Sequence, residues 1–97
     1  MTTQDKTKVI WSKRVDKQIH TLPVFIVKKF YAWVTMVSIS GIRDTRRCVG
    51  LHDEQLKGAR LGQRSIRLNN AYRAIYIEHT NKTLSILEVI EVNKHEY

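Results

Sequence analysis

The chain has 97 residues, enough for one domain with a single core and a high surface-to-volume ratio. Its 17 Lys and Arg against 9 Asp and Glu give a net charge of +8, a field that favours polyanions such as RNA, DNA or an acidic protein without choosing among them. A hydrophobic share of 42% excludes a disordered basic tail, and the single cysteine, Cys48, excludes an intrachain disulfide and fits a reducing cytoplasm.

The N-terminal MTTQDKTK carries no apolar signal segment. Residues 6–11 place Val9-Ile10-Trp11 among basic residues and predict a short first strand. Ser12 can cap a helix in which Val15, Ile19 and Leu22 recur at helical spacing. Thr21, as N-cap, and Pro23, in the first turn, mark the start of a second helix. From residue 23 to about residue 39, Val27, Phe30, Val34 and Val37 form an apolar stripe that Ile26 and Trp33 widen, and Gly41 is the expected stop. Lys28-Lys29 near the start of this apolar region favour a buried helix over a membrane span.

Residues 42–62 read as loop, with Leu51 and Leu56 holding it to the core. Residues 65–68 alternate polar and apolar, Asn69-Asn70 is turn chemistry, and residues 71–78 complete a β-hairpin. Residues 83–92 form a last strand with apolar residues on both faces. Strand, two helices and a three-stranded meander make an α+β domain over residues 1–97, with the helices on one sheet face and the other face left for chemistry.

Both hairpin strands contain an arginine, Arg67 between Ile66 and Leu68 and Arg73 between Tyr72 and Ala74. Two explanations stand: internal salt bridges to Glu78, Glu88 or Glu91, or an external anion. Further polar residues gather at His52-Asp53-Glu54 and at the terminal His95-Glu96-Tyr97. No CxxC or His-x-x-x-His spacing suggests a structural metal, and no phosphate-cradling or dinucleotide glycine loop suggests a cofactor. A carboxylate, fixed cations, an imidazole and a phenol suit RNA cleavage, because RNA brings its own nucleophile in the 2′-hydroxyl. Glu54 or His95 would take the hydroxyl proton, Arg67 and Arg73 would hold the phosphate, and Tyr97 would stack on a base or bond the phosphate. Against this, loop carboxylates such as Asp53 and Glu54 are commonly just solvated, and a chain end commonly frays.

The run LKGARLGQRSIRLNNAYRAIY, residues 56–76, resembles the central motif of the bacterial RelE/ParE toxin superfamily, with LKG, G-x-x-S-x-R, a turn and Y-R-x-x-Y in order. The terminal EVNKHEY resembles the basic or His-Tyr ends of YoeB- and HigB-like members. The resemblance implies a RelE-like fold, β-α-α-β-β-β, and an mRNA interferase toxin of a type II toxin–antitoxin system. It implies catalytic roles for Glu54, Arg67, Arg73, His95 and Tyr97, although Glu96 separates the last two here. It also implies RNA contacts from His52, Lys57, Arg60, Arg64 and Lys94.

The implied reaction needs no metal or other cofactor and leaves a 2′,3′-cyclic phosphate. The implied partners are a cognate antitoxin, mRNA and the A site of the 30S subunit in a cytoplasmic 70S ribosome. No membrane is expected, and DNA enters only through the antitoxin complex. The main alternative is a ParE-like gyrase-inhibiting toxin of the same fold without ribonuclease activity. A noncatalytic RNA- or protein-binding module is the third reading.

Overall fold

The computed structural model describes residues 6–81 and 84–94. Strand β1 (Lys6–Trp11) leads into helices α1 (Lys13–His20) and α2 (Val24–Arg46). Strands β2 (Glu54–Gln55), β3 (Arg64–Arg67), β4 (Tyr72–Asn81) and β5 (Leu84–Lys94) follow, with 3₁₀ turns at Val49–Leu51 and Gly58–Arg60. The sheet order is β1-β5-β4-β3-β2. The expected meander is therefore the middle of a five-stranded mixed sheet in which β1 runs parallel to β5 and the other pairs are antiparallel.

Ser12 caps α1 as expected, its hydroxyl accepting from the Val15 amide at 3.3 Å. Thr21 does not start α2. It closes α1, donating its hydroxyl to the Gln18 carbonyl, and Pro23 occupies the α2 N-cap without a side-chain bond. Gly41 is the expected stop: at φ 83° and ψ 163° it breaks the helical run, and a second short run, with Ile42 and Thr45 buried, carries the chain on to Arg46. Thr45 ties the break by donating to the Gly41 carbonyl at 2.7 Å.

Both helices cover one sheet face. Val15 and Ile19 of α1 and Ile26, Phe30, Trp33 and Val37 of α2 meet Ile66, Ala74, Tyr76, Leu87, Val89 and Val92 of the sheet in one core. By length and composition α2 could cross a membrane, but its four largest inward residues are spent on that core.

Between β4 and β5 the register slips by one residue, Ile75 facing Glu91 and Tyr76 facing Val89. This bulge reverses the alternation along β5. Val92 joins Leu87 and Val89 on the helix side, while Glu91 and Asn93 come to the open face beside Arg73. The Gln18 side chain reaches from α1 and accepts from the Val92 amide at 3.0 Å.

Candidate functional site

Strand alternation sorts the hairpin into two sets of side chains. Arg64, Ile66, Ala74 and Tyr76 face the helices, whereas Ser65, Arg67, Arg73 and Ile75 face the open side. Strand β2 pairs Glu54 with Ser65, which puts Glu54 on the open side too. His52 sits at φ 48°, in the left-handed region that few non-glycine residues adopt, and turns the chain into β2. Its Nε2 lies 3.9 Å from Glu54 Oε2.

These residues border a polar cleft of about 90 Å³, lined by His52, Glu54, Ser65, Arg67, Asn69, Asn70, Tyr72 and Arg73. The turn end of the cleft is braced by Asn69, whose side-chain oxygen accepts from the amides of Ala71 and Tyr72. Arg67 and Arg73 are directly opposite one another across β3 and β4. Neither makes an ion pair among the described residues, and Arg73 Nε is buried without a hydrogen-bond partner there.

The internal salt bridges open to the hairpin arginines are taken by other partners. Glu78 pairs with Arg46 at 3.1 Å, Glu88 with His79 at 3.1 Å, and Glu91 with Arg60 at 3.0 Å. Burial alone would raise the Glu91 carboxyl. Hydrogen bonds from Arg60 and Asn93, with the charges of Arg60 and Arg73, carry it below the ordinary carboxylate range instead.

Asp53 is not a solvated loop carboxylate. Its side chain is 1% exposed and is held from three sides. Arg64 Nε donates to it at 2.7 Å, the Tyr76 hydroxyl donates at 2.5 Å, and Arg46 Nε stands 3.7 Å away as an ion pair. Arg46 also donates to the Tyr76 oxygen and to Glu78. Burial and the bond to Asp53 push the Tyr76 phenol well above its usual range, so it stays neutral. Burial opposes the Arg46 charge, but Tyr76, Glu78 and Asp53 outweigh it and raise its pKa. The result is a polar knot on the helix side that pins β2 to the sheet, one residue before Glu54.

Of the residues expected at the site, Glu54, Arg67, Arg73 and His52 are brought together around the cleft. Arg64 faces the helices and is bound to Asp53, and Arg60 is engaged by Glu91 and Gln63, so these two stabilise the frame and are not free cations on the open face. Lys57 and Lys94 are exposed and do not line the cleft. His95 and Tyr97 lie outside the described residues. Asp53, Ser65, Asn69 and Tyr72 were not anticipated. Alternation from Arg67 would have pointed to Ser65, whereas the partners of Asp53 are too far along the chain to be read locally.

No protein-family model matches the chain, and no curated protein matches it in sequence. Solved structures do match. A YoeB/ParE toxin from Agrobacterium tumefaciens is similar at TM-score 0.67 and 22% identity, over 92% of this chain and 99% of that one. YafQ from E. coli is similar at TM-score 0.66 and 14% identity, over 93% and 94%. A chain of the RelBE2 toxin–antitoxin complex from Mycobacterium tuberculosis is similar at TM-score 0.64 and 18% identity, over 91% and 96%. At these identities the likeness is one of architecture. Two helices on one face of a five-stranded sheet whose first and last strands run parallel make a RelE-like toxin fold.

Proposed function

We propose that this chain is the toxin of a type II toxin–antitoxin pair, acting in the cytoplasm as an endoribonuclease on mRNA held in the ribosomal A site. The observation that carries the reading is the pair Arg67 and Arg73, two guanidiniums opposite one another, neither of which makes an ion pair among the described residues. A phosphodiester supplies the missing charge, and guanidinium is well shaped to bind it bidentately. Two of the similar structures, a YoeB/ParE toxin and a toxin–antitoxin complex, support the same reading.

In this reading Glu54 accepts the 2′-hydroxyl proton of the RNA. The freed 2′-oxygen bonds to phosphorus, and the bond from phosphorus to the 5′-oxygen breaks. Arg67 and Arg73 hold the two non-bridging oxygens as charge grows on them. The departing 5′-oxygen needs a proton, for which His52 in the cleft and His95 beyond the described residues are the candidates; Tyr97 would contact the base or phosphate. The charge of +8 draws the protein to ribosomal RNA.

The test is single-turnover cleavage of mRNA on programmed ribosomes, with mapping of the new ends. Products carrying a 2′,3′-cyclic phosphate, formed equally after the protein has been treated with EDTA, are expected. Intact RNA together with inhibited gyrase supercoiling would move the chain to the ParE-like reading. Bound but uncut RNA would make it a binding module.

A further inference from the structure

Strand β2 is two residues long and lies at the sheet edge beside β3. Its ladder is the two pairs Glu54–Ser65 and Gln55–Arg64, extended by one bond from the Leu56 amide to the Gln63 carbonyl at 2.9 Å. So short an edge strand has little in its own backbone to hold one position. Yet His52 and Glu54 line the cleft from this segment. Their side chains are 56% and 59% exposed, and among the described residues the one ion pair of either is the 3.9 Å approach of each to the other. Neither is held in place by its own side chain.

Asp53, between them, is held firmly. Its two oxygens are bound separately, Oδ1 by Arg64 Nε at 2.7 Å and Oδ2 by the Tyr76 hydroxyl at 2.5 Å. Arg64 and Tyr76 are paired neighbours on β3 and β4, so the plane of the carboxylate is fixed as well as its place. Arg46 adds a third side from α2, at 3.7 Å. It stands there because the helical run breaks at Gly41, and the short run that follows ends on Arg46.

We propose that Asp53 and the Tyr76 hydroxyl are the positioning residues of the cleft. By fixing the backbone between His52 and Glu54 on the helix side, they set where both side chains stand on the open side. The effect on rate rests on the ribonuclease reading, whereas the placement of the segment does not.

Stability alone does not account for the knot. Taking a carboxylate and guanidiniums out of water costs about as much as their attraction returns, and apolar side chains of similar volume often hold a fold as well. What apolar contact lacks is direction, which hydrogen bonds supply. The Tyr76 hydroxyl is the clearest case. Its ring already packs in the core against Trp33, with centroids 5.4 Å apart, so the oxygen is not needed to bury it. Burial keeps the phenol protonated and therefore a donor. A proton acceptor displaced by about 1 Å can cost a reaction roughly 10²-fold, so an anchor one residue from Glu54 bears directly on rate.

The experiment compares the full-length native chain with Tyr76→Phe, which removes one oxygen and keeps the ring, with Glu54→Gln, and with the two changes combined. Amide hydrogen exchange and single-turnover cleavage on programmed ribosomes are measured on all four proteins. In Tyr76→Phe, exchange at residues 52–55 should quicken by roughly tenfold while β4 and β5 exchange as in the native chain. Cleavage should slow by roughly 10–10²-fold, with the half-saturating protein concentration unchanged. In the Glu54→Gln background the same change should cost markedly less, because the main group it positions is gone. An equal loss in both backgrounds would overturn the proposal, as would unchanged exchange at 52–55. Faster exchange there with no loss of rate would overturn it too. Faster exchange throughout β4 and β5, or an unfolded Tyr76→Phe protein, would make the hydroxyl a part of the general framework and reject a positioning role. If the native chain cuts no RNA, the ribonuclease reading fails by itself, and exchange at 52–55 still decides whether Tyr76 holds the segment.

Discussion

Arg67 and Arg73 face each other across β3 and β4, and each of the three carboxylates that might have neutralised them is bound to a different residue. Like charges opposite one another in a sheet cost stability. The hairpin therefore keeps an arrangement that folding alone does not favour and that a bound anion would relieve.

Replacing either arginine should separate function from stability. Arg73→Ala and Arg67→Ala are each expected to lower single-turnover cleavage by roughly 10²–10³, the effect of removing one charge-stabilising donor. Thermal melts should be no lower than those of the native protein, because each change also removes the cross-strand repulsion. A variant that cuts at the native rate, or one that unfolds, would return that arginine to a framework role.

The same pair predicts stabilisation by inorganic phosphate alone. At a tenfold excess of anion over its Kd the native fold should gain about 1.4 kcal/mol, or roughly 6–11 °C in Tm for a chain of this size. The Arg67→Ala, Arg73→Ala double variant should show little of this gain. Equal shifts in both proteins would place the bound anion elsewhere on the basic surface.

Asp53 and Glu54 are neighbours with opposite expected phenotypes. Asp53→Ala leaves Arg64, Arg46 and the Tyr76 hydroxyl without their shared acceptor, and should cost about 3–5 kcal/mol, the range for breaking a buried pair from one side. Glu54→Gln changes an exposed group and should leave the denaturation midpoint in place while slowing cleavage by roughly 10²–10⁴. Urea titrations and single-turnover rates on the two proteins decide this.

Glu91 carries a pH dependence. Its carboxyl is held below its unfolded value of about 4.3, so the folded state favours the ionised form. The stability it contributes is complete above that value and is lost as pH falls through the lower, folded value. Urea midpoints measured from neutral pH down to strong acid should fall less steeply in Glu91→Gln than in the native protein. Matching curves would show that its bonds to Arg60 and Asn93 add nothing to the fold.

Local chemistry made much of this readable in advance. The hairpin announced itself through alternation and the Asn69-Asn70 turn, and α1 through Ser12 and the Val15–Ile19 spacing. That Arg67 and Arg73 share a face follows only from the pairing of β3 with β4. What stayed hidden depends on contacts distant along the chain. Asp53 looks like any polar loop residue until Tyr76 and Arg46 are seen to close on it. The bulge opposite Ile75 and Tyr76 has no local mark, and simple counting along β5 puts Glu91 on the same side as Val89. Gly41 is the break its sequence predicts, but the short helical run after it, held by buried Ile42 and Thr45, has no such local mark. Strand order between the chain's two ends leaves no trace in either end alone.

That last pairing has a bearing on how the protein comes into being. Lys6 lies opposite Leu84, so the strand synthesised first needs the strand synthesised last as its neighbour. Joining such distant segments closes the longest loop the chain possesses, which makes it a slow and late step. Until β5 has emerged, Val15 and Ile19 of α1 lack the surface they cover, and Arg73 lacks Asn93 beside it. An N-terminal fragment ending before residue 84 has three strands of the hairpin edge and two helices, but no central strand to join them to β1. Assembly of the sheet thus waits for β5. Translation that stops before residue 84 yields a product in which β1 has no neighbour and the sheet stays incomplete.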